Sequence, residues 1–199
     1  MKRASGLILI IILIHSHSCT AQSDSLAFSK DFIFKEGLYP TWNDFRNNNP
    51  VPESKIITYY DKTASDFMSK ELQKAEITYL ASDSTEQKIT TNKLWGYCSN
   101  NQVFINYGKE FTRVMVIGSI CHFTAYTEIY LGGYEHYNNA PSNMRGGYEQ
   151  EQLIIDMRSG KVGAFNVVNM EVLLKQDDAI YNEFMALKKR KKKQLIFSI

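Results

Sequence analysis

The sequence predicts an α+β domain, an antiparallel sheet built as a meander with helices gathered mainly at the C-terminal end. Three observations carry this reading. Between Lys93 and Tyr130, apolar and aromatic residues alternate in runs of five to eight, broken by very short turn sequences. From Asn169 onward the apolar spacing becomes helical. Aromatic residues make up 13% of the chain, many of them Tyr, a composition that excludes a disordered chain.

Phe32, Phe34 and Leu38 alternate into a short strand punctuated by Gly37 and Pro40. Thr41 caps a brief helix through Trp42, Asp44 and Phe45, which Asn47, Asn48, Asn49 and Pro50 terminate. Residues 56–60 read as a strand and residues 64–75 as a helix capped by Ser65 or Asp66. Residues 77–80 read as a strand before the polar stretch 81–87. The meander places strands at residues 94–98, 102–107, 112–117 and 120–130. Their connections, Ser99-Asn100-Asn101, Gly108-Lys109-Glu110 and Gly118-Ser119, are so short that the neighbours must be antiparallel. A glycine- and tyrosine-rich loop, residues 132–148, leads to a strand at 152–157. The turn Arg158-Ser159-Gly160-Lys161 then returns the chain into residues 162–165. Met170, Leu173 and Leu174 mark one helix, and Asp177 caps a second with Ile180, Phe184 and Leu187 on its apolar side.

The N-terminal segment has the pattern of an export signal: Lys2 and Arg3, an apolar run over residues 7–14, then small or polar residues to Gln22. That run is about half the length of roughly 20 residues that a spanning helix needs. Two processing routes are open. Cleavage after Ala21 uses Cys19 and Ala21 as the small residues of the site, whereas lipidation of Cys19 makes a lipoprotein. Ser16, His17 and Ser18 lack the aliphatic residue expected before a lipidated cysteine, which favours simple cleavage. The expected organisation is a signal at 1–21, a polar leader at 22–31, a single globular domain at 32–187 and a basic and apolar tail at 188–199. The expected location is extracytoplasmic: periplasm, secreted or outer-membrane lipoprotein.

The formal charge of +2 comes from Lys2 and Arg3, so the mature chain is neutral. Neutrality excludes a general nucleic-acid binder, whose footprint is an excess of basic charge. Six of the basic residues form one block, Lys188 to Lys193. The favoured reading ends the second helix there, with cations at the carbonyl end of the helix dipole. The alternative joins the block to Leu195, Ile196, Phe197 and Ile199 as a segment that lies on an anionic membrane.

Cys98 and Cys121 fall on the first and fourth strands of the meander, three steps of about 4.8 Å apart. That is beyond the roughly 7 Å limit for a bridge, so both thiols are expected to be free. His122, Glu128, Glu135 and His136 beside Cys121 match no zinc or facial-triad spacing, and His122 reads as a surface or hydrogen-bonded histidine. Gly-Gly pairs without a following Lys-Ser/Thr cradle no phosphate, so no cofactor is expected. The pair Gly132-Gly133-Tyr134-Glu135 recurs as Gly146-Gly147-Tyr148-Glu149. Flexible glycine beside amphipathic Tyr130, Tyr134, Tyr137 and Tyr148 suits a ligand-binding loop, and an ordinary hairpin with tyrosines packed on the sheet is the plainer alternative.

Gly37-Leu38-Tyr39 with 45–50 (FRNNNP), then Leu94-Trp95-Gly96-Tyr97 with Val103-Phe104-Ile105-Asn106, resembles a family of uncharacterised exported proteins of the Bacteroidetes. The similarity extends to Ile155-Asp156-Met157 before Ser159-Gly160-Lys161 and to the lysine-rich C-terminal helix. The resemblance implies export and a single domain, and carries no activity. The residues themselves point to a non-catalytic binding or structural module of the cell envelope, its partner an envelope ligand or protein. An envelope hydrolase and a peripheral membrane-associated protein are the alternatives.

Overall fold

The structure, a computed structural model, describes residues 27–130 and 146–199. Cys19, the cleavage position after Ala21, Tyr134, Tyr137 and the side chain of Tyr130 lie outside the described residues. In chain order the elements are β1 (Gly37–Tyr39), α1 (Trp42–Arg46), a 3-10 turn (Glu53–Lys55), β2 (Ile56–Ile57), α2 (Phe67–Leu72), β3 (Glu76–Leu80) and β4 (Glu86–Thr90). After a second 3-10 turn (Thr91–Lys93) come β5 (Gly96–Ser99), β6 (Gln102–Tyr107), β7 (Glu110–Val116), β8 (Ile120–Tyr130), β9 (Gly146–Asp156) and β10 (Val162–Ala164). Helices α3 (Val167–Leu174), α4 (Asp178–Ala186) and α5 (Lys189–Leu195) close the chain.

The fold is α+β and single-domain. Seven antiparallel strands form one sheet in the order β1-β5-β6-β7-β8-β9-β10, and β2-β3-β4 form a second, smaller one. The sequential order of β5 to β8 is the expected meander, and β9 and β10 continue it. Two tight turns set its register: Asn100 and Asn101 have φ of 53° and 57°, and Gly108 and Lys109 have φ of 63° and 75°. Positive φ at both central residues is the geometry that matches the twist of paired strands.

Residues directly opposite one another share a sheet face. Pairing of Cys98 with Val103, Val114 with Phe123 and Cys121 with Ile155 therefore defines one face. Against it the N-terminal segment lays Phe28, Phe34, Tyr39 and Phe45, giving the main core. The Phe34 and Phe45 rings stack at 4.5 Å, and Trp95 lies half-buried on Phe45 at 4.3 Å. Asn48, left-handed at φ 49°, ties this segment down: its Oδ1 accepts from the Lys35 N–H at 2.8 Å and its Nδ2 donates to the Ile33 carbonyl. The opposite face is covered in two places. At the β5–β7 end, Tyr97 and Phe111, with Leu38 of β1, pack on Ile56 and Ile77 of the smaller sheet and Phe67 of α2. At the β8–β9 end, Ile120 and Ile154 pack on Met170, Leu174 and Phe184 of α3 and α4.

Several elements depart from the sequence expectation. Phe32 and Phe34 are not in a strand; only Gly37–Tyr39 pairs, with Gly96 to Cys98. The aromatic core reaches back to Phe28, inside the stretch read as a polar leader, through ring contacts to Phe32 at 4.7 Å and Phe34 at 5.9 Å. The strand expected at 56–60 is two residues long, and the helix expected at 64–75 covers only Phe67–Leu72. Its Asp66 forms an ion pair with Lys70 at 2.9 Å rather than a cap. Glu86–Thr90, within and beyond the polar stretch, is the edge strand of the smaller sheet. The strand expected to begin at 152 begins at Gly146, so β8 and β9 pair over eleven registers from Ile120↔Asp156 to Tyr130↔Gly146. Thr41 and Asp177 do cap α1 and α4, each accepting from a first-turn N–H.

The basic block is the largest correction. It does not end α4, which stops at Ala186 with extended Leu187 and Lys188 after it. Lys189–Leu195 is a separate helix. Its first turn carries Lys189 and Arg190, which oppose the helix dipole instead of complementing it.

Candidate functional site

The long β8–β9 ladder places alternate residues on the face that the C-terminal helices cover. On β8 these include Ile120, His122 and Thr124; on β9 they include Gln152, Ile154 and Asp156. Between that face and helices α3 and α4 lies a cleft of about 630 Å³. Ile120, His122, Ile154 and Asp156 form its sheet wall. Met170, Leu173 and Leu174 of α3, Ile180 of α4 and the C-terminal segment Ile196 to Ile199 form the facing wall. The volume falls within the range of about 300 to 1,000 Å³ typical of small-molecule sites.

His122 lines this cleft, together with the charged residues Arg46, Asp156, Arg158 and Asp177. Its ring meets Phe165 edge-on at 5.0 Å and Phe197 at 5.3 Å, and those two rings meet each other at 5.9 Å. Both ring nitrogens are buried and neither has a hydrogen-bond partner among the described residues. Burial pushes the imidazole below its ordinary pKa of 6.5. Gln152 close by offsets part of that shift, although its amide does not meet hydrogen-bond geometry at either nitrogen. The ring is therefore neutral at pH 7, with one N–H donor and one bare acceptor. This corrects the expectation of a surface or hydrogen-bonded histidine. Strand alternation alone put His122 on the helix-facing side, opposite Cys121, and the aromatic pair that walls it in comes from residues more than forty positions later in the chain.

Asp156, on the same wall, is already committed. Burial disfavours its charge, but hydrogen bonds from the Ser159 hydroxyl at 2.7 Å and the Arg158 N–H at 3.1 Å, with the Arg158 guanidinium beside it, hold the carboxyl below the usual range. These contacts build the 158–161 turn. Gly160 in that turn has φ 71°, and a Cβ there would lie 2.8 Å from the Trp42 ring, so two separate constraints require glycine.

The cysteines lie on the other face. Cys98 and Cys121 are buried and unbridged. Burial pushes the Cys98 thiol up to about 12 and the Cys121 thiol up to about 11. Neither is poised as a thiolate near neutral pH. Among the described residues no three His, Cys, Asp or Glu side chains converge as metal ligands would.

Of the tyrosines expected to form a binding loop, the structure places one side chain. Tyr148 is 71% exposed near the Tyr130–Gly146 end of the β8–β9 ladder, on the same face as Tyr126, with its hydroxyl 3.3 Å from Glu128 Oε1. It is not packed back on the sheet. Tyr130 pairs through its backbone with Gly146. Tyr148 is four registers beyond Gln152 along β9 and does not line the His122 cleft. No protein-family model matches the chain, and no curated protein or solved structure matches it either.

Proposed function

We propose that the chain is a non-catalytic binding module of the cell envelope, and that its β8–β9 cleft takes a small, largely apolar ligand carrying a hydroxyl or similar donor–acceptor group. The envelope setting rests on the export pattern of Lys2, Arg3 and the apolar run after them. The ligand class rests on one observation: two buried, unpartnered nitrogens of a neutral imidazole on an otherwise mainly apolar cleft wall. Each unmet polar group costs about 1 to 3 kcal/mol. A ligand hydroxyl donates to the bare nitrogen of this ring or accepts from its N–H, so it satisfies one of the two groups the fold leaves open; the 60% exposed Phe197 ring beside His122 is the part of the cover that yields to admit it.

The test uses 2-naphthol and 2-methylnaphthalene, two ligands of nearly equal shape that differ in the hydroxyl. Isothermal titration of the purified chain should show 2-naphthol binding about tenfold more tightly, as expected for one gained hydrogen bond in a buried site. His122→Phe should abolish the preference. Equal affinity for the two ligands in the parent protein, or a preference that survives in His122→Phe, refutes the assignment.

A further inference from the structure

A second concave surface lies beside α5, and its chemistry differs from that of the His122 cleft. It is a groove of about 790 Å³ between α3 and α5, floored by Phe165 and Ile196. Its lining is mainly apolar, with Lys189, Lys192 and Lys193 along one side and Val168 on the other. Lys192 is committed inward: its Nζ is 2.6 Å from Glu171 Oε1 and 5.1 Å from the Phe184 ring centroid. That ion pair joins α5 to α3 and leaves Lys189 and Lys193 as the exposed cations of the groove. Among the described residues the only acidic one in the lining is Glu171, against three lysines, which leaves an excess of two positive charges there.

The same region exposes apolar side chains. Val168 and Val172, one turn apart on α3, are 67% and 58% exposed. Of the fifteen large apolar residues exposed among those described, seven lie from Val168 onward, the stretch that also holds the whole basic block. An exposed apolar stripe beside a basic helix that places cations against its own dipole is complementary to one kind of surface, apolar inside and negatively charged at its rim.

We infer that the α3–α5 groove docks the protein on an anionic lipid bilayer, with Val168 and Val172 entering the interface and Lys189 and Lys193 meeting lipid phosphates. The geometry favours the reading that the bare sequence placed second, because the block is a helix of its own, locked to α3, and not the frayed end of α4. Lys192, buried against Glu171, takes no part in lipid contact and holds the surface together.

Cosedimentation with vesicles containing about one-third phosphatidylglycerol in phosphatidylcholine tests this. Each cation near an anionic leaflet raises partitioning about fivefold, so Lys189→Gln/Lys193→Gln should lower it about 30-fold. Val168→Ser/Val172→Ser should lower it at least tenfold through lost apolar burial. Lys30→Gln/Lys93→Gln, which removes two exposed cations elsewhere, should change it less than threefold. All variants are compared in the chain beginning at Gln22, the expected mature form, so that the apolar run over residues 7–14 does not contribute to vesicle binding. Parent binding should fall as salt shortens the Debye length from about 10 Å to about 3 Å. The proposal is overturned if the parent does not bind these vesicles, if either groove variant binds within twofold of the parent, or if the control pair loses as much as the groove pair.

Discussion

Replacing His122 with phenylalanine should make the protein more stable. In the native cleft the imidazole keeps two buried nitrogens without partners, and each such group costs about 1 to 3 kcal/mol relative to its hydrated state. Phenylalanine removes both while keeping a flat ring against Phe165 and Phe197, whose centroids lie 5.0 and 5.3 Å away. The phenyl ring is slightly larger, and overpacking costs about 1 kcal/mol or more where neighbours cannot move. Phe197 is 60% exposed and can yield. The net gain expected is about 1 to 2 kcal/mol. For a domain of this size that raises the midpoint of thermal unfolding by roughly 2 to 8 °C. Calorimetry and urea titration at pH 7.5, where the imidazole is neutral, measure it. A loss of more than 1 kcal/mol would show that the nitrogens are bonded in solution, and the argument for an open ligand site would fail with it. A residue that lowers stability in the empty protein and raises affinity in the occupied one fits the usual trade between stability and function.

Other consequences are equally direct. Burial holds the folded pKa of His122 below 6.5, so the unfolded chain binds a proton that the native state refuses, and stability should fall as pH drops below about 6.5. Urea midpoints at pH 7.5 and 5.5 should show a smaller difference in His122→Phe than in the parent, and equal differences contradict the assignment. Trp95→Ala removes a half-buried ring packed on Phe45 at 4.3 Å and Trp42 at 5.0 Å and should cost about 3 kcal/mol; a denaturant titration showing less than 1 kcal/mol would place Trp95 outside the core. Cys98 and Cys121 should resist a thiol reagent in the native protein at pH 8 and both react after denaturation without reductant, whereas a linked pair in mass spectrometry would break the strand order β5-β6-β7-β8.

The meander was legible because each strand buries one face and its turns are short. Gln102–Tyr107 and Ile120–Tyr130 stand where alternation puts them. The misread strands lack that pattern for a physical reason. In β4 only Ile89 packs on the core, and the outer part of β9, Tyr148 to Glu151, is solvent-exposed on both faces. Neither stretch has an apolar side to announce it. The helix in the basic block was hidden differently, since six like charges suggest a solvated end and nothing in the sequence shows that Glu171 captures Lys192. His122 was visible only as a lone histidine on a strand. Its significance comes from Phe165 and Phe197, brought to it by β10 and by the chain beyond α5, and no local spacing encodes that meeting.

The proposed ligand site stands or falls on whether a bound hydroxyl meets the His122 ring nitrogens, which have no partner among the described residues. Nitrogen-15 NMR of the His122 ring at pH 7.5, with and without saturating 2-naphthol, reads them directly. The free protein should give the pattern of a neutral imidazole, and at least one ring nitrogen should shift on adding 2-naphthol, with no shift on adding 2-methylnaphthalene. A protonated ring in the free protein, or ring nitrogens that 2-naphthol leaves unmoved while it binds, would contradict it.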